Sequence, residues 1–380
     1  MKNSKTMVCR CVRPDDAFEL MRLYQESSLR LKQDGLFLDV ERLRAQIAAH
    51  GRYWAVAESS GRIAALVALQ HDEENRLGRI RRMYAAGPES ARRAALAAAL
   101  GFLMEKIAAE GAAEVVYSTT RTLTLEQQEI TLEQGFKVLG VFPNAVYADP
   151  RRLNGLSAWF APGVLAKRRH ADFALHPVIE PFFEIARRQC ALPKLGLAQV
   201  PPLPAGRQPI PEIEMIDARR FVAERFRSIR ARKNLSVNFF PFEIPNILFT
   251  SPDGNVEVFV HLSRETRFAS ILGEHLSVGV DPVRLYRDVA AALYGNRVIY
   301  LEVINDAADV LGAECILRAG FVPCGYLPCL KQAGEKRRDY VVFARSYEYF
   351  TYPRLKVNSL YLDFLREYCK ARAAMSSRDA

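Results

Sequence analysis

The chain has 380 residues, 49% of them hydrophobic and 25% charged, with a formal net charge of +10 and a pI near 9.3. That length exceeds one ordinary core and suits two domains. No apolar run approaches the roughly 18 residues of a membrane span, and the N-terminus has no apolar segment before Arg10, so a membrane protein and a secreted one are not expected and the cytoplasm is the expected location. Seven scattered cysteines form neither a disulfide framework nor a zinc spacing. The positive balance suits a polyanionic partner, either nucleic acid or the phosphates of a coenzyme, or simply a solvated surface.

In chain order, Met7 to Val12 reads as a strand, and Pro14, Asp15 and Asp16 start an amphipathic helix. A second helix is expected over Val40 to Ala49. Tyr53 to Glu58 and Ile63 to Leu69 flank Ser59-Ser60-Gly61-Arg62 as a hairpin. The polar loop from His71 to Gly78 leads to a fourth strand, Arg79 to Ala85. Gly87-Pro88 then opens an Ala-rich helix to about Glu110, in which Leu96, Leu100, Leu103 and Ile107 make one apolar stripe. Residues 151–192 read as a helical extension, with a basic patch at Lys167 to His170 and a helix over Pro177 to Ala191. Six prolines between Pro193 and Pro211 read as an extended linker. A second set follows: a strand near Glu212 to Ile216, a helix from Ala218 to Arg232, a hairpin through Pro252-Asp253-Gly254, a strand Phe268 to Leu272, and a helix from Asp281 to Tyr294. The expected divisions are 1–150, 151–192, 193–211, 212–346 and a helical appendage over 347–380.

Two stretches repeat. Glu114-Val-Val-Tyr117 and a helix ending in Gly135-Phe136 are echoed about 183 residues later by Arg297-Val-Ile-Tyr300 and a helix ending in Gly320-Phe321. Each "GF" opens a strand with its own Gly and Pro, at Gly140 and Pro143, and at Gly325 and Pro328. An apolar strand, a helix stopped by Gly, and another strand, occurring twice, describe a duplicated α/β domain with a mixed sheet.

This order and its "GF" ending resemble the GNAT acyltransferase superfamily over nearly the whole chain, more strongly in residues 7–148. The resemblance implies an acyl-CoA-dependent N-acyltransferase that transfers an acyl group, such as acetyl, to a small-molecule or peptide amine. It implies acetyl-CoA or another acyl-CoA as co-substrate, with no metal. The coenzyme would lie in a splay between the fourth and fifth strands, its pyrophosphate on amides at the start of the next helix. Met83, Tyr84, Ala85, Arg92, Arg93, Ala94, Ala95 and Ala97 stand there, and Arg92-x-x-Ala95-x-Ala97 fits the family's Q/R-x-x-G-x-G/A with Ala in place of Gly. An ordinary Ala-rich helix with two surface arginines reads equally from these residues. In the second copy Asp281 and Pro282 occupy the phosphate position, so that copy is expected to bind no coenzyme A.

The family's usual acid, a Tyr four residues before the Gly of "GF", is replaced by Thr131 and Ile316. Weaker candidates are Tyr84 and Tyr117 on strands flanking the splay, and Glu73 or Glu74 in the loop before the fourth strand. A competing reading keeps the fold without the chemistry, as a ligand-sensing or protein-interaction module. The basic helix from Arg219 to Lys233 has a buried stripe of Val222, Phe226 and Ile229; nucleic acid is not expected as a partner, since only charge supports it.

Overall fold

A computed structural model describes residues 7–27, 34–119, 125–143, 153–168, 173–203, 212–231, 242–277, 279–348 and 358–376. The chain divides into two compact units. The first comprises 1–137 and 157–164, the second 138–156 and 165–380.

The first unit begins with β1 (Met7–Cys11), α1 (Ala17–Glu26) and α2 (Val40–His50). Next come β2 (Trp54–Ser59), β3 (Arg62–Asp72), β4 (Leu77–Ala85), α3 (Glu89–Glu110), β5 (Val115–Ser118) and α4 (Leu125–Glu133). Its strands lie in the order β1-β2-β3-β4-β5, and beyond β5 comes the second half of β7 (Leu153–Phe160). The β4–β5 pair is parallel, while the others are antiparallel. Because alternate strand residues face opposite ways, the sheet has two cores. One is under α3, where Leu96, Leu100, Leu103 and Ile107 are buried as the stripe requires. The other, under α1 and α2, holds Leu20, Leu23, Phe37, Leu43, Val56 and Leu66. Gly111, at φ +58, ends α3, a conformation in which Gly carries no Cβ penalty.

The second unit takes in residues 138–143 of β6 (Lys137–Pro143) and 153–156 of β7. It continues with α5 (Glu180–Cys190), β8 (Glu214–Ile216), α6 (Arg219–Ala231), β9 (Ile247–Thr250) and β10 (Val256–Ser263). Then follow β11 (Phe268–Leu276), α7 (Pro282–Gly295), β12 (Tyr300–Asp306), α8 (Val310–Arg318), β13 (Val322–Ala333), β14 (Lys336–Ser346) and α9 (Ser359–Ser376). Its strand order is β7-β6-β13-β14-β12-β11-β10-β9-β8. Phe183 on α5 meets Tyr326 on β13 edge-on at 5.1 Å, and Phe182 meets Phe364 of α9 at 6.4 Å. Gly140 of β6 lies opposite Gly325 of β13, and a Cβ on Gly140 would stand 2.5 Å from the Gly325 Cα.

The two units share an internal register. In the first, the β3–β4 ladder slips between Ala68 and Leu69, leaving Arg81 as a bulge; in the second, β10–β11 slips between Phe259 and Val260, leaving Leu272. The turn into β4 places Arg76 at φ +46, and the turn into β11 places Arg267 at φ +55. Each of these residues is followed by its counterpart 191 positions later. The parallel pairs match too, Leu77 with Val115 and Phe268 with Tyr300.

The structure corrects several expectations. The counterpart of Val115 is Tyr300 and not Val298, so the offset is 185, the same as that between Gly135 and Gly320. Residues 151–192 contain a strand, β7, as well as helix α5, and each "GF" strand is followed by one more strand, β7 or β14. Of the proline-rich stretch, the described residues 193–203 form no helix or strand apart from a bridge between Leu197 and Leu175; 204–211 lie outside the described residues. Arg232 and Lys233 also lie outside them, as do Arg169 and His170 of the Lys167 to His170 patch.

Candidate functional site

In the first unit β4 and β5 pair only from Leu77 to Ile80 against Val115 to Ser118. Past the Arg81 bulge, β4 runs on along β3 to Ala85, so the two parallel strands splay. The bulge sets which side chains face which way. Met83 and Ala85 turn to the α3 core, while Tyr84 turns to the core under α1 and α2.

Tyr84 stands in a polar and aromatic cluster. Its hydroxyl donates to Asp34 Oδ2 at 3.3 Å, and Arg82 holds the same carboxylate through Nε at 2.6 Å and Nη2 at 3.2 Å. The Asp34 amide donates to the Tyr24 hydroxyl at 2.7 Å. The rings of Tyr24, Phe37 and Tyr84 pack against one another at 5.0 to 5.3 Å, and the Arg82 guanidinium lies over Phe37 and Trp54. Burial, and then the Asp34 charge, raise the Tyr84 phenol well above its ordinary value, so it stays a proton donor. Burial alone would raise Asp34, but the Arg82 hydrogen bond and charge outweigh it and hold this carboxyl below its usual range. Asp34 was not foreseen: an Asp before Gly35 in a loop reads as a turn residue, and only the fold brings it to Tyr84.

At the C-terminal end of β4, Gly87 at φ +103 turns the chain into α3, whose N-cap is Pro88. No side chain caps this helix. The Arg92 amide already donates to Pro88 O at 2.9 Å, so Arg92 to Ala97 stand inside the helix and their amides serve its ladder. The amide donors at the start are therefore those of Glu89 to Ala91. Ala95 is buried in the α3 core, Ala97 packs against it, and Ala94 is exposed. Arg93 reaches Glu129 at 2.6 Å and Glu133 at 2.5 Å on α4, which commits its charge to those carboxylates.

The remaining sequence candidates are scattered. Glu73 and Glu74 are exposed in the turn before β4, at the opposite end of that strand from the splay; at about 3.3 Å per residue they are roughly 25 Å away. Tyr117, on β5, lies under the Arg79 guanidinium at 5.9 Å. Thr131 is buried, its hydroxyl donating to Gln128 O, and Ile316 is buried on α8.

The second unit has the same splay but a different helix start. Asp281 caps α7 by accepting from the amides of Val283 at 2.9 Å and Arg284 at 3.5 Å, and Pro282 has no N–H to give. On α6, Arg225 pairs with Glu257 at 2.7 and 2.9 Å, and Val222 and Ile229 are buried. Among the described residues no cluster of His, Cys, Asp and Glu is arranged to hold a metal ion, and no helix is long and apolar enough to cross a membrane.

Comparison with solved structures finds GNAT acetyltransferases over about two fifths of the chain. A GNAT-family acetyltransferase from Streptococcus pneumoniae is 19% identical, covering 41% of this chain and 99% of its own, with a TM-score of 0.37. The ribosomal-protein-alanine N-acetyltransferase of Brucella melitensis is 14% identical over 40% of this chain and 99% of its own, at 0.34. The ribosomal L7/L12 acetyltransferase RimL, solved with coenzyme A, is 14% identical over 42% and 96%, at 0.36. No protein-family model matches the chain, and no curated protein matches it in sequence. At these identities the likeness concerns the fold alone, a mixed α/β sheet.

Proposed function

We propose that the chain is an acyl-CoA-dependent N-acyltransferase built from two GNAT-like halves, with the coenzyme in the first half and the second degenerate. The contrast between the two helix starts carries this reading. Beside the first splay, α3 begins on a glycine turn without a side-chain cap, whereas α7 begins on Asp281 and Pro282, which fill the place of an anion. Acyl-CoA supplies the activated thioester. The amides of Glu89 to Ala91 hold its pyrophosphate, and Met83 and Ala85 give an apolar wall to the splay; the amine nitrogen bonds to the thioester carbon as the C–S bond breaks, Tyr84 gives its proton to the departing thiolate, and the proton released by the amine returns through solvent to Tyr84. The acceptor is an amine, in a small molecule or a peptide.

The degeneration within the first half supports a second reading, a fold that binds its ligand without transferring anything. Arg93 is tied to α4, Glu89 brings a negative charge to the first turn, and Thr131 is buried where the family places its tyrosine. Calorimetry of acetyl-CoA against the wild type and Ser90→Asp tests the site. The added carboxylate suits a helix N-terminus and so preserves folding, while it repels phosphate. A loss of at least tenfold in affinity is expected, and unchanged affinity removes the proposed site. If binding holds but no amine is acylated, the second reading stands.

A further inference from the structure

Helix α6 of the second unit is seated on the sheet by one face. Val222 and Ile229 are buried there, Phe226 packs against Phe259 of β10 with ring centroids 5.2 Å apart, and Arg225 is held by Glu257. On the outer side Arg219, Arg220, Arg227 and Arg230 are exposed, and none of the four has an ion pair or a side-chain hydrogen bond among the described residues. At 3.6 residues per turn they fall within an arc of roughly 100°. Glu224 is the one acid of the helix.

The arginines of other helices are treated differently. Arg22 on α1, Arg187 on α5 and Arg318 on α8 each meet a carboxylate of their own helix. Those of α6 also stand where helix formation does not ask for them: the first turn holds Arg219 and Arg220 and no acid, although cations there oppose the helix dipole. Beside Arg220, Phe221 is 52% exposed. Exposed Phe18 lies under the Arg44 guanidinium at 5.2 Å and exposed Tyr294 stacks on Tyr347 at 4.5 Å, whereas Phe221 has no ring or guanidinium partner among the described residues.

Charge alone does not single out a partner, but four uncommitted guanidinium groups next to an open aromatic face do. Phosphates pair with the first and a nucleobase stacks on the second. A lipid surface fits less well, since the apolar face of α6 is turned into the sheet. An acidic peptide gives the ring nothing to do. We propose that the outer face of α6 binds single-stranded nucleic acid, with phosphates on Arg219, Arg220, Arg227 and Arg230 and one base stacked on Phe221. This inference does not depend on the transferase reading.

The test is fluorescence anisotropy of a labelled oligothymidylate titrated with the full chain at salt concentrations from about 50 to 200 mM. Four phosphate contacts to a single strand give a slope of about −3 for the logarithm of the association constant against that of salt. Arg220→Gln with Arg227→Gln, which keeps helix propensity at two exposed positions, should roughly halve that slope. Phe221→Ala should weaken binding at least fivefold with the slope unchanged, and Phe221→Tyr should bind as the wild type does. Absence of salt-dependent binding, equal affinity in Phe221→Ala, or an oligoglutamate of the same charge bound as tightly would each overturn the proposal. Acetyl-CoA should bind these variants as it binds the wild type. A chain that binds the oligonucleotide and not acetyl-CoA would sink the transferase reading and leave this one intact.

Discussion

Two side chains in the splays have their protonation set by burial. Tyr84 is kept protonated by burial and by Asp34, and a general acid in such a position contributes on the order of 10²-fold or more. Tyr84→Phe should therefore lower kcat about 100-fold while acetyl-CoA affinity changes little; an unchanged kcat would remove it from the mechanism. Glu274, on β11 beyond its pairing with β12, gives a pH dependence with a definite sign. Its native pKa of about 7 exceeds the unfolded value of 4.5, so between those values the native state binds more protons than the unfolded one. Its contribution is thus most favourable below pH 4.5 and declines as pH rises through 7, by about 3 kcal/mol in all. Glu274→Gln should match the wild type at pH 5 and melt several degrees higher at pH 8.5. Equal melting temperatures at both values would show that the carboxyl is not desolvated.

At the scale of elements, the periodicities served well where a helix or strand has one buried face. The α3 stripe and the hairpins around Gly61 and Gly254 were legible because burial on one side forces a spacing of 3.6 or 2. The strands that follow each "GF" strand, β7 and β14, were not read as strands. Pro328 lies within β13, where the register shifts between Leu327 and Lys331 and Cys329 adopts φ +55, and a bulge is where a strand tolerates proline. The offset of the fifth strands was misread because Val298 and Ile299 are as apolar as the strand they precede. The two strands that splay were legible, whereas the pairing of Asp34 with Arg82 and Tyr84, and the burial of the Glu274 carboxyl, were not, since each depends on residues distant in sequence. The close approach of Gly140 and Gly325 offers a direct check on β13. Gly140→Ala puts a Cβ against backbone that cannot swing aside, so a loss of at least 1–3 kcal/mol is expected in denaturant unfolding of the second unit. A neutral substitution would show that the two strands have room to separate.

At the scale of the molecule, the second unit is assembled from distant parts of the chain. Arg168 is fully buried, its Nε paired with Asp339 and its Nη2 donating to the Tyr326 hydroxyl at 3.0 Å; Tyr326 in turn donates to Asp339 at 2.6 Å. Asp339 also accepts from the Cys329 amide at 3.0 Å. Removing one member of a buried pair strands the other, so Arg168→Ala should cost about 3–5 kcal/mol, and Arg168→Ala with Asp339→Asn considerably less than the sum. Additive losses in that cycle would contradict the coupling. For the same reason a fragment starting at 212 lacks Arg168 and residues 138–156, and it is a poor unit for asking what the second half does. The chain crosses from the first unit to the second after Lys137, returns for Ser157 to Val164, and crosses again. On the ribosome, then, the first unit is complete at Val164, while residues 138–156 of the second wait for the rest of that unit. Residues 138–143 leave the exit tunnel well before β13, beginning at Val322, has been synthesised, a gap of roughly ten to thirty seconds at ordinary elongation rates. A nascent β6 spends that interval as an unpaired apolar edge, a natural point of hold for a chaperone and of failure in a truncated messenger.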